Sequence, residues 1–206
     1  MSPKTPLRDP TGYFEDRPNP FTPGAGVFAL HVLVDVVLVY LLLRFMLAEI
    51  DGLSSAERSE VTSTVTQVLF LAVFIYLIAW LVVAAVMHFG VGGPESRGSF
   101  GDAMGVAGWA YAPEVIAAVP TYLWVRQQIG ALDLDASDPR ALEAEIESMT
   151  TGAADGVALL ILLGVTAWSV FILAKGVAQT HDVPLDRAVL PAVIVGIGSF
   201  IFGVAA

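Results

Sequence analysis

Apolar and polar positions alternate along this chain in long blocks. Apolar blocks cover residues 24–47, 62–89, 100–129, 156–178 and 188–204. A helix of about 20 apolar residues crosses the roughly 30 Å hydrocarbon layer of a bilayer. The pattern therefore predicts an all-α fold, a polytopic transmembrane helix bundle with five spans. A polar N-terminal tail, residues 1–23, precedes the first span, and a polar acidic loop, residues 130–151, separates the third span from the fourth.

Short motifs at the edges of the blocks predict where helices begin and turn. Ser54 and Glu57 have the spacing of a capping box, so a helix is predicted to begin there. The run Gly92-Gly93-Pro94 predicts a turn that joins spans two and three as an antiparallel pair. Pro113 and Pro120 predict kinks within span three.

Small residues along one face of span three predict a close approach to another helix, because they let backbones come near each other in lipid. They are Gly101, Gly105, Gly108 and Ala112. In the acidic loop, Ser137-Asp138-Pro139 predicts a helix start. Leu142, Ile146 and Met149 then share a face, which predicts a short amphipathic helix resting on the protein.

Composition supports the membrane class and excludes several chemistries. Hydrophobic residues make up 56% of the chain, above the 45–50% or so of soluble domains. The absence of cysteine excludes disulfides and cysteine nucleophiles. A net charge of −10 argues against a basic patch for nucleic acid. The acid excess, with only two lysines, also fits a halophilic protein.

Three ionisable residues interrupt the spans. His31 and Asp35 lie one turn apart in span one, and Glu114 lies near the middle of span three. A carboxylate at the bilayer centre costs at least about 2.5 kcal/mol on insertion scales, so it seldom faces lipid. One interpretation is a proton relay or buried cation site in a small proton- or ion-coupled transporter. The other is structural, with each side chain bonding a neighbouring helix.

Geometry discriminates between these two interpretations. If the carboxylates of Asp35 and Glu114 lie more than about 10 Å apart with no cavity between them, transport loses its site.

No H-E-x-x-H, G-x-S-x-G, P-loop or G-x-G-x-x-G motif occurs in the chain. The sequence therefore predicts no catalytic residues, no cofactor and no metal motif.

One stretch resembles a known family. The segment Gly92-Gly93-Pro94-Glu95-Ser96-Arg97-Gly98-Ser99-Phe100, followed by Ala110-Tyr111-Ala112-Pro113, resembles the Yip1 domain family. The shared pattern is a glycine-led turn, a small residue and an aromatic that open a helix, then a tyrosine and a proline inside it. Asp9-Pro10-Thr11-Gly12-Tyr13-Phe14 resembles the family's motif before its first span, and residues 168–178 with 181–188 resemble its last inter-span turn.

The resemblance marks as family-motif residues Gly92, Gly93, Arg97, Gly98, Phe100, Tyr111 and Pro113. It implies five spans, a cytoplasmic N-terminus and no known catalytic activity. Eukaryotic members act in vesicle traffic and contact Rab-type GTPases and one another. The expected function is therefore a non-enzymatic, membrane-organising scaffold of the cell membrane. Its expected partners are membrane lipids and other membrane proteins, self-association included, and not nucleic acid.

Basic residues favour the same orientation. With the N-terminus inside, the inner segments hold six lysines and arginines and the outer segments hold four. Loops on the cytoplasmic side carry the excess of basic residues in most membrane proteins. The sequence therefore predicts a cytoplasmic N-terminus.

Overall fold

The described part of the chain is built from α-helices. The computed structural model describes residues 5–17, 19–132, 134, 137, 140, 143–145 and 156–205. The helices are α1 (Pro10–Glu15), α2 (Phe21–Glu49), α3 (Ser55–Gly90), α4 (Phe100–Ala110), α5 (Ala112–Ile129), α6 (Gly156–His181) and α7 (Leu185–Ala205), with a 3₁₀ turn at Gly93–Glu95. The predicted amphipathic helix of the acidic loop depends on Ser137-Asp138-Pro139, Leu142, Ile146 and Met149, most of which lie outside the described residues.

Within this part of the chain, four helices are long and apolar enough to cross a membrane. They are α2, α3, α6 and α7, and their most apolar windows have mean hydropathies between 2.0 and 2.9. Outward-facing leucine, isoleucine, valine and phenylalanine side chains cover them, as expected of helices that contact lipid. The predicted all-α polytopic bundle is confirmed.

The third predicted span consists of two helices in series. α4 ends at Ala110 and α5 begins at Ala112, with Tyr111 between them. The break lies two residues before Pro113, because proline lacks an N–H and clashes with the carbonyl of the preceding turn. Pro120, the other predicted kink, lies inside the continuous helix α5.

Capping boxes begin two of the helices. At α3 the backbone N–H of Ser54 donates to the Glu57 carboxylate at 2.8 Å, and the N–H of Glu57 donates to Ser54 Oγ at 3.3 Å. This confirms the predicted helix start. Ser99 and Asp102 form the same reciprocal pair at α4, with distances of 2.8 and 3.1 Å. Each box satisfies amide groups that the first helical turn leaves unpaired.

Backbones touch where α2 crosses α4. A Cβ on Gly24 would collide with the backbone of Gly105, and a Cβ on Gly108 would collide with the backbone of Gly24. The predicted close approach is confirmed for Gly105 and Gly108. A Cβ on Gly101 would meet only Ser99 Oγ, at 3.5 Å, so Gly101 takes no part in the crossing.

The N-terminal segment folds back onto the bundle. Asp9 caps α1 by accepting the N–H of Gly12 at 3.0 Å, and Pro10 occupies the first helical position. Tyr13 and Phe14 are buried in the main apolar cluster, against α4 and α6. From the sequence, this segment was expected only to be a polar tail, so the burial of its two aromatic side chains was missed.

Candidate functional site within the bundle

The three intramembrane ionisable residues lie side by side. His31 Nε2 is 3.6 Å from Asp35 Oδ2 and 3.4 Å from Glu114 Oε2. Both carboxylates approach the same nitrogen, so they lie well within the separation that would have left transport without a site. α2 carries His31 and Asp35, and the first turn of α5 carries Glu114.

Two tyrosines complete this cluster. The Tyr76 hydroxyl donates to Asp35 Oδ2 at 3.0 Å, which joins α3 to α2. The Tyr111 ring stacks on the His31 imidazole at 4.7 Å between centroids, and the Tyr76 ring contacts it edge-on at 5.3 Å. We name His31, Asp35, Tyr76, Tyr111 and Glu114 the intramembrane polar cluster.

The imidazole at the centre of this cluster makes no hydrogen bond to any described residue. His31 is 1% exposed, and neither ring nitrogen meets hydrogen-bond geometry with any described group. The Asp35 oxygen is too far away for a hydrogen bond, and the Glu114 oxygen is near enough but misaligned. A buried polar atom without a partner normally costs about 1–3 kcal/mol, and such an atom in a native structure indicates strain, a functional role or an unseen ligand.

The break before Pro113 is what places Glu114. It makes α5 a separate helix whose first turn contains the Glu114 carboxylate, where the helix dipole favours negative charge. The Ala110 carbonyl is freed by the break, and Ser169 Oγ on α6 donates to it at 2.6 Å. Transporter folds place discontinuous helices of this kind at mid-membrane binding sites.

An apolar cleft opens from the two carboxylates. It has a volume of about 410 Å³ and lies between α2, α5 and α6. Asp35 and Glu114 line it, and the remaining walls are mainly alanine, valine, leucine and isoleucine, with Trp124 farther along α5. We call it the carboxylate cleft. It exposes the carboxylates, whose side chains are 26% and 39% accessible, while His31 stays buried behind them.

No group of three or more His, Asp or Glu residues in the described part of the chain is arranged to hold a metal ion. The imidazole and two carboxylates converge, yet they surround the imidazole nitrogen and not a shared central point. The arrangement suits proton sharing or the binding of a cation beside the carboxylates.

The family-motif residues divide between two places. Tyr111 and Pro113 belong to the polar cluster and to the helix break beside it. The others form the turn between α3 and α4, where Gly92 and Gly93 have φ of 122° and 50°, values that residues with a Cβ rarely adopt. Phe100 contacts the His88 ring edge-on at 5.9 Å.

This turn packs on the turn between α6 and α7. The Arg97 guanidinium forms an ion pair with Asp182 at 2.7 Å. The backbone N–H of Arg97 donates to the His181 carbonyl at 3.3 Å. A Cβ on Gly98 would collide with the His181 ring. His88 Nδ1 lies 3.0 Å from His181 Nε2, and both rings are buried. The pairing of these histidines was missed because nothing in the spacing of residues 88 and 181 places them together.

Comparison with known proteins identifies a family. The Yip1 domain model matches residues 5–206 of this chain, nearly its whole length. A search of curated proteins and a search of solved structures each returned no match. The matched region includes the glycine-led turn, the helix break before Pro113 and the packed N-terminal segment. The chain belongs to the Yip1 domain family and is a multi-pass integral membrane protein.

Proposed function

We propose that this protein is a non-enzymatic membrane organiser that recruits partner proteins within the bilayer. Membership of the Yip1 domain family over residues 5–206 is the observation that carries the proposal. Open positions on the outer helix faces support it, because a Cβ on Gly164 of α6 or Gly198 of α7 would meet no atom within 4 Å. Small outward residues allow another helix to approach closely in lipid. We place the protein in the cell membrane with a cytoplasmic N-terminus. We also propose, from its acid excess, that it functions in high salt.

Site-specific crosslinking in native membranes tests this function. A photoreactive amino acid is introduced at Phe74 on α3 or Ile197 on α7, which are 50% and 56% exposed. Ala103 on α4 is fully buried and serves as the control position. Covalent products with defined partners, or with a second copy of the chain, are expected from the exposed positions and not from Ala103. If neither exposed position yields a product beyond lipid adducts, the recruiting function is wrong.

The intramembrane polar cluster favours a second candidate, a small proton- or ion-coupled transporter. Three ionisable side chains meet at one nitrogen, and an open cleft reaches the carboxylates. In this proposal a proton moves between His31 and a carboxylate, and Tyr76 holds Asp35 in place. Ionisable groups that converge inside a membrane are typical of proton relays.

Flux through proteoliposomes tests the second candidate. The full chain is reconstituted with a pH-sensitive dye inside the vesicles, and a potassium diffusion potential drives proton entry. Asp35→Asn is expected to abolish the flux, whereas Glu60→Gln, at an exposed position of α3, leaves it unchanged. Equal rates in vesicles with and without the protein would rule out proton transport under these conditions.

A further inference from the structure

The carboxylate cleft has one charged end and one apolar end. Asp35 and Glu114 provide its charged groups, and none of the described residues that line it is a lysine or an arginine. Among the described residues, the only ion-pair contact that either carboxylate makes is with His31. A carboxylate in a low-dielectric environment without a fixed cation either takes up a proton or binds a positive charge. The cleft is therefore complementary in charge to a cationic group.

The unpartnered imidazole is a second observation that favours a ligand at this cluster. His31 is 1% exposed, and its Nε2 makes no hydrogen bond to any described group although it lies 3.6 Å from Asp35 Oδ2 and 3.4 Å from Glu114 Oε2. A ligand that enters between the two carboxylates can donate an N–H to one oxygen of each. The other oxygens are then free to accept a hydrogen bond from the imidazole. Native structures seldom leave such a buried nitrogen unpaired, and a ligand beside it is one way to satisfy it.

The shape of the cleft specifies what accompanies the cation. The wall on α5 runs from Glu114 to Val125, which spans about 16 Å at 1.5 Å per residue. Ala117, Ala118, Leu38 and Ile161 are among the small and aliphatic residues along it. A volume of about 410 Å³ lies in the range of pockets that hold drug-sized ligands, about 300–1,000 Å³. A bare metal ion or proton leaves this apolar length empty, whereas a hydrocarbon tail fills it.

We propose that the carboxylate cleft binds a single-tailed organic cation, an amine on an alkyl chain. The ammonium group lies between Asp35 and Glu114, and the chain lies along α5 toward Trp124. This proposal uses the same carboxylates as the second candidate function and names its ligand class, but it requires binding only and no transport. It holds equally for a scaffold whose cleft carries a bound amphiphile.

Photolabelling with a matched pair of probes tests the proposal. The full chain is reconstituted in phosphatidylcholine vesicles and exposed to a long-chain alkylamine with a diazirine near its tail end. The alcohol of the same chain length is the uncharged control. Labelled peptides are identified by mass spectrometry. The amine is expected to label the cleft walls, residues 114–125 and 158–165, at least fivefold more than the alcohol does.

Two variants and a control separate the possible outcomes. In Asp35→Asn with Glu114→Gln, amine labelling is expected to fall to the level of the alcohol, and Glu60→Gln is expected to behave as the parent protein. Ala118→Trp fills the cleft and leaves both carboxylates, so labelling of the cleft by both probes should fall; this variant covers the case in which the double variant does not fold. Equal labelling by amine and alcohol would identify a site for lipid chains and overturn the proposal, as would amine labelling that survives the double variant. If the parent protein binds the amine in the cleft but shows no proton flux, the transporter candidate is wrong and the binding proposal stands.

Discussion

At the scale of single residues, Asp35 combines a structural contact with a charge inside the membrane. Its Oδ2 accepts from the Tyr76 hydroxyl at 3.0 Å and lies 3.6 Å from His31 Nε2. An amide at this position keeps an acceptor for Tyr76 and removes the charge. The two interpretations of Asp35 therefore differ in what Asp35→Asn does to stability and to activity.

We expect Asp35→Asn to have an equal or higher thermal midpoint in neutral detergent. Interhelical hydrogen bonds in membranes average only about 0.6 kcal/mol, whereas a charge at mid-membrane costs at least about 2.5 kcal/mol on insertion scales. Asp35→Leu also loses the bond from Tyr76, so its midpoint should fall below that of Asp35→Asn. Tyr76→Phe removes the same bond from the other side and serves as the control. A clear fall in the midpoint of Asp35→Asn would instead indicate an ionised carboxylate with a specific cationic partner.

Ser169 gives a second prediction at this scale. Its hydroxyl is the described partner of the Ala110 carbonyl, which the helix break leaves without an intrahelical amide. Ser169→Ala is expected to lower stability by about 1–2 kcal/mol, because an unpaired carbonyl remains inside the bundle. Ser63→Ala, at an exposed position of α3, is the matched control and should change the thermal midpoint little. Equal midpoints for the two variants would show that the carbonyl finds another partner.

At the scale of helices, the crossing of α2 and α4 depends on the absence of side chains. A Cβ on Gly24 meets backbone atoms of Gly105, which cannot rotate away, whereas a Cβ on Gly26 meets nothing within 4 Å. Gly24→Ala should therefore lower the thermal midpoint strongly. Gly26→Ala on the same helix should leave it unchanged or raise it, since alanine in a helix is favoured over glycine by up to about 1 kcal/mol. If both variants melt alike, the two backbones are not in contact.

Helix positions were predictable from the sequence, and their contacts only in part. Apolar blocks and the Ser54–Glu57 spacing located α3, because membrane thickness and unpaired amides constrain local sequence directly. The interruption at Tyr111 was anticipated only as a kink, since the exact register of a break depends on which neighbours satisfy the freed carbonyl. Burial of Tyr13 and Phe14 depends on distant surfaces on α4 and α6, about which residues 9–14 carry no local signal.

For the candidate site too, the sequence identified residues but not their contacts. Asp35, His31 and Glu114 were identifiable because charge inside a span is costly wherever it points. Their convergence on one nitrogen, and the parts played by Tyr76 and Tyr111, required the arrangement of α2, α3 and α5 around them. Aromatic residues are common in membrane spans, so their presence alone indicates no partner.

At the scale of the whole molecule, the two ends of the bundle are assembled differently. At one end an ion pair joins the turns that contain Arg97 and Asp182, while the N-terminal segment packs along α6, where Trp168 Nε1 donates to the Leu7 carbonyl at 2.9 Å. The other end joins the C-terminal turns of α2 and α5, where the Asp51 N–H donates to the Leu134 carbonyl at 2.9 Å. If α4 and α5 together make one crossing, Glu95 and Ala131 lie on opposite sides of the membrane, and Ala131 lies on the same side as Asp51.

The natural absence of cysteine makes this testable with single substitutions and no other change to the chain. Glu95→Cys, Asp51→Cys and Ala131→Cys introduce thiols at exposed positions. Because basic residues favour a cytoplasmic N-terminus, a membrane-impermeant maleimide should label Asp51→Cys and Ala131→Cys in intact cells and Glu95→Cys only after the cells are opened. The parent protein, which has no thiol, should remain unlabelled throughout.

The pattern of labelling separates crossing number from orientation. Labelling of Glu95→Cys alone in intact cells would show that the orientation is the reverse of the predicted one. The number of crossings would still be five, because Asp51 and Ala131 would remain on one side and Glu95 on the other. Labelling of Glu95→Cys and Ala131→Cys from the same side would mean that the broken segment enters and leaves on one face. In that case the Glu114 carboxylate would lie at the tip of a re-entrant loop, which is tolerated only where protein or water surrounds the backbone. We expect Ala131→Cys to be labelled from the same side as Asp51→Cys. α5 extends 18 residues beyond the break, about 27 Å at 1.5 Å per residue, and reaches the far end of the bundle.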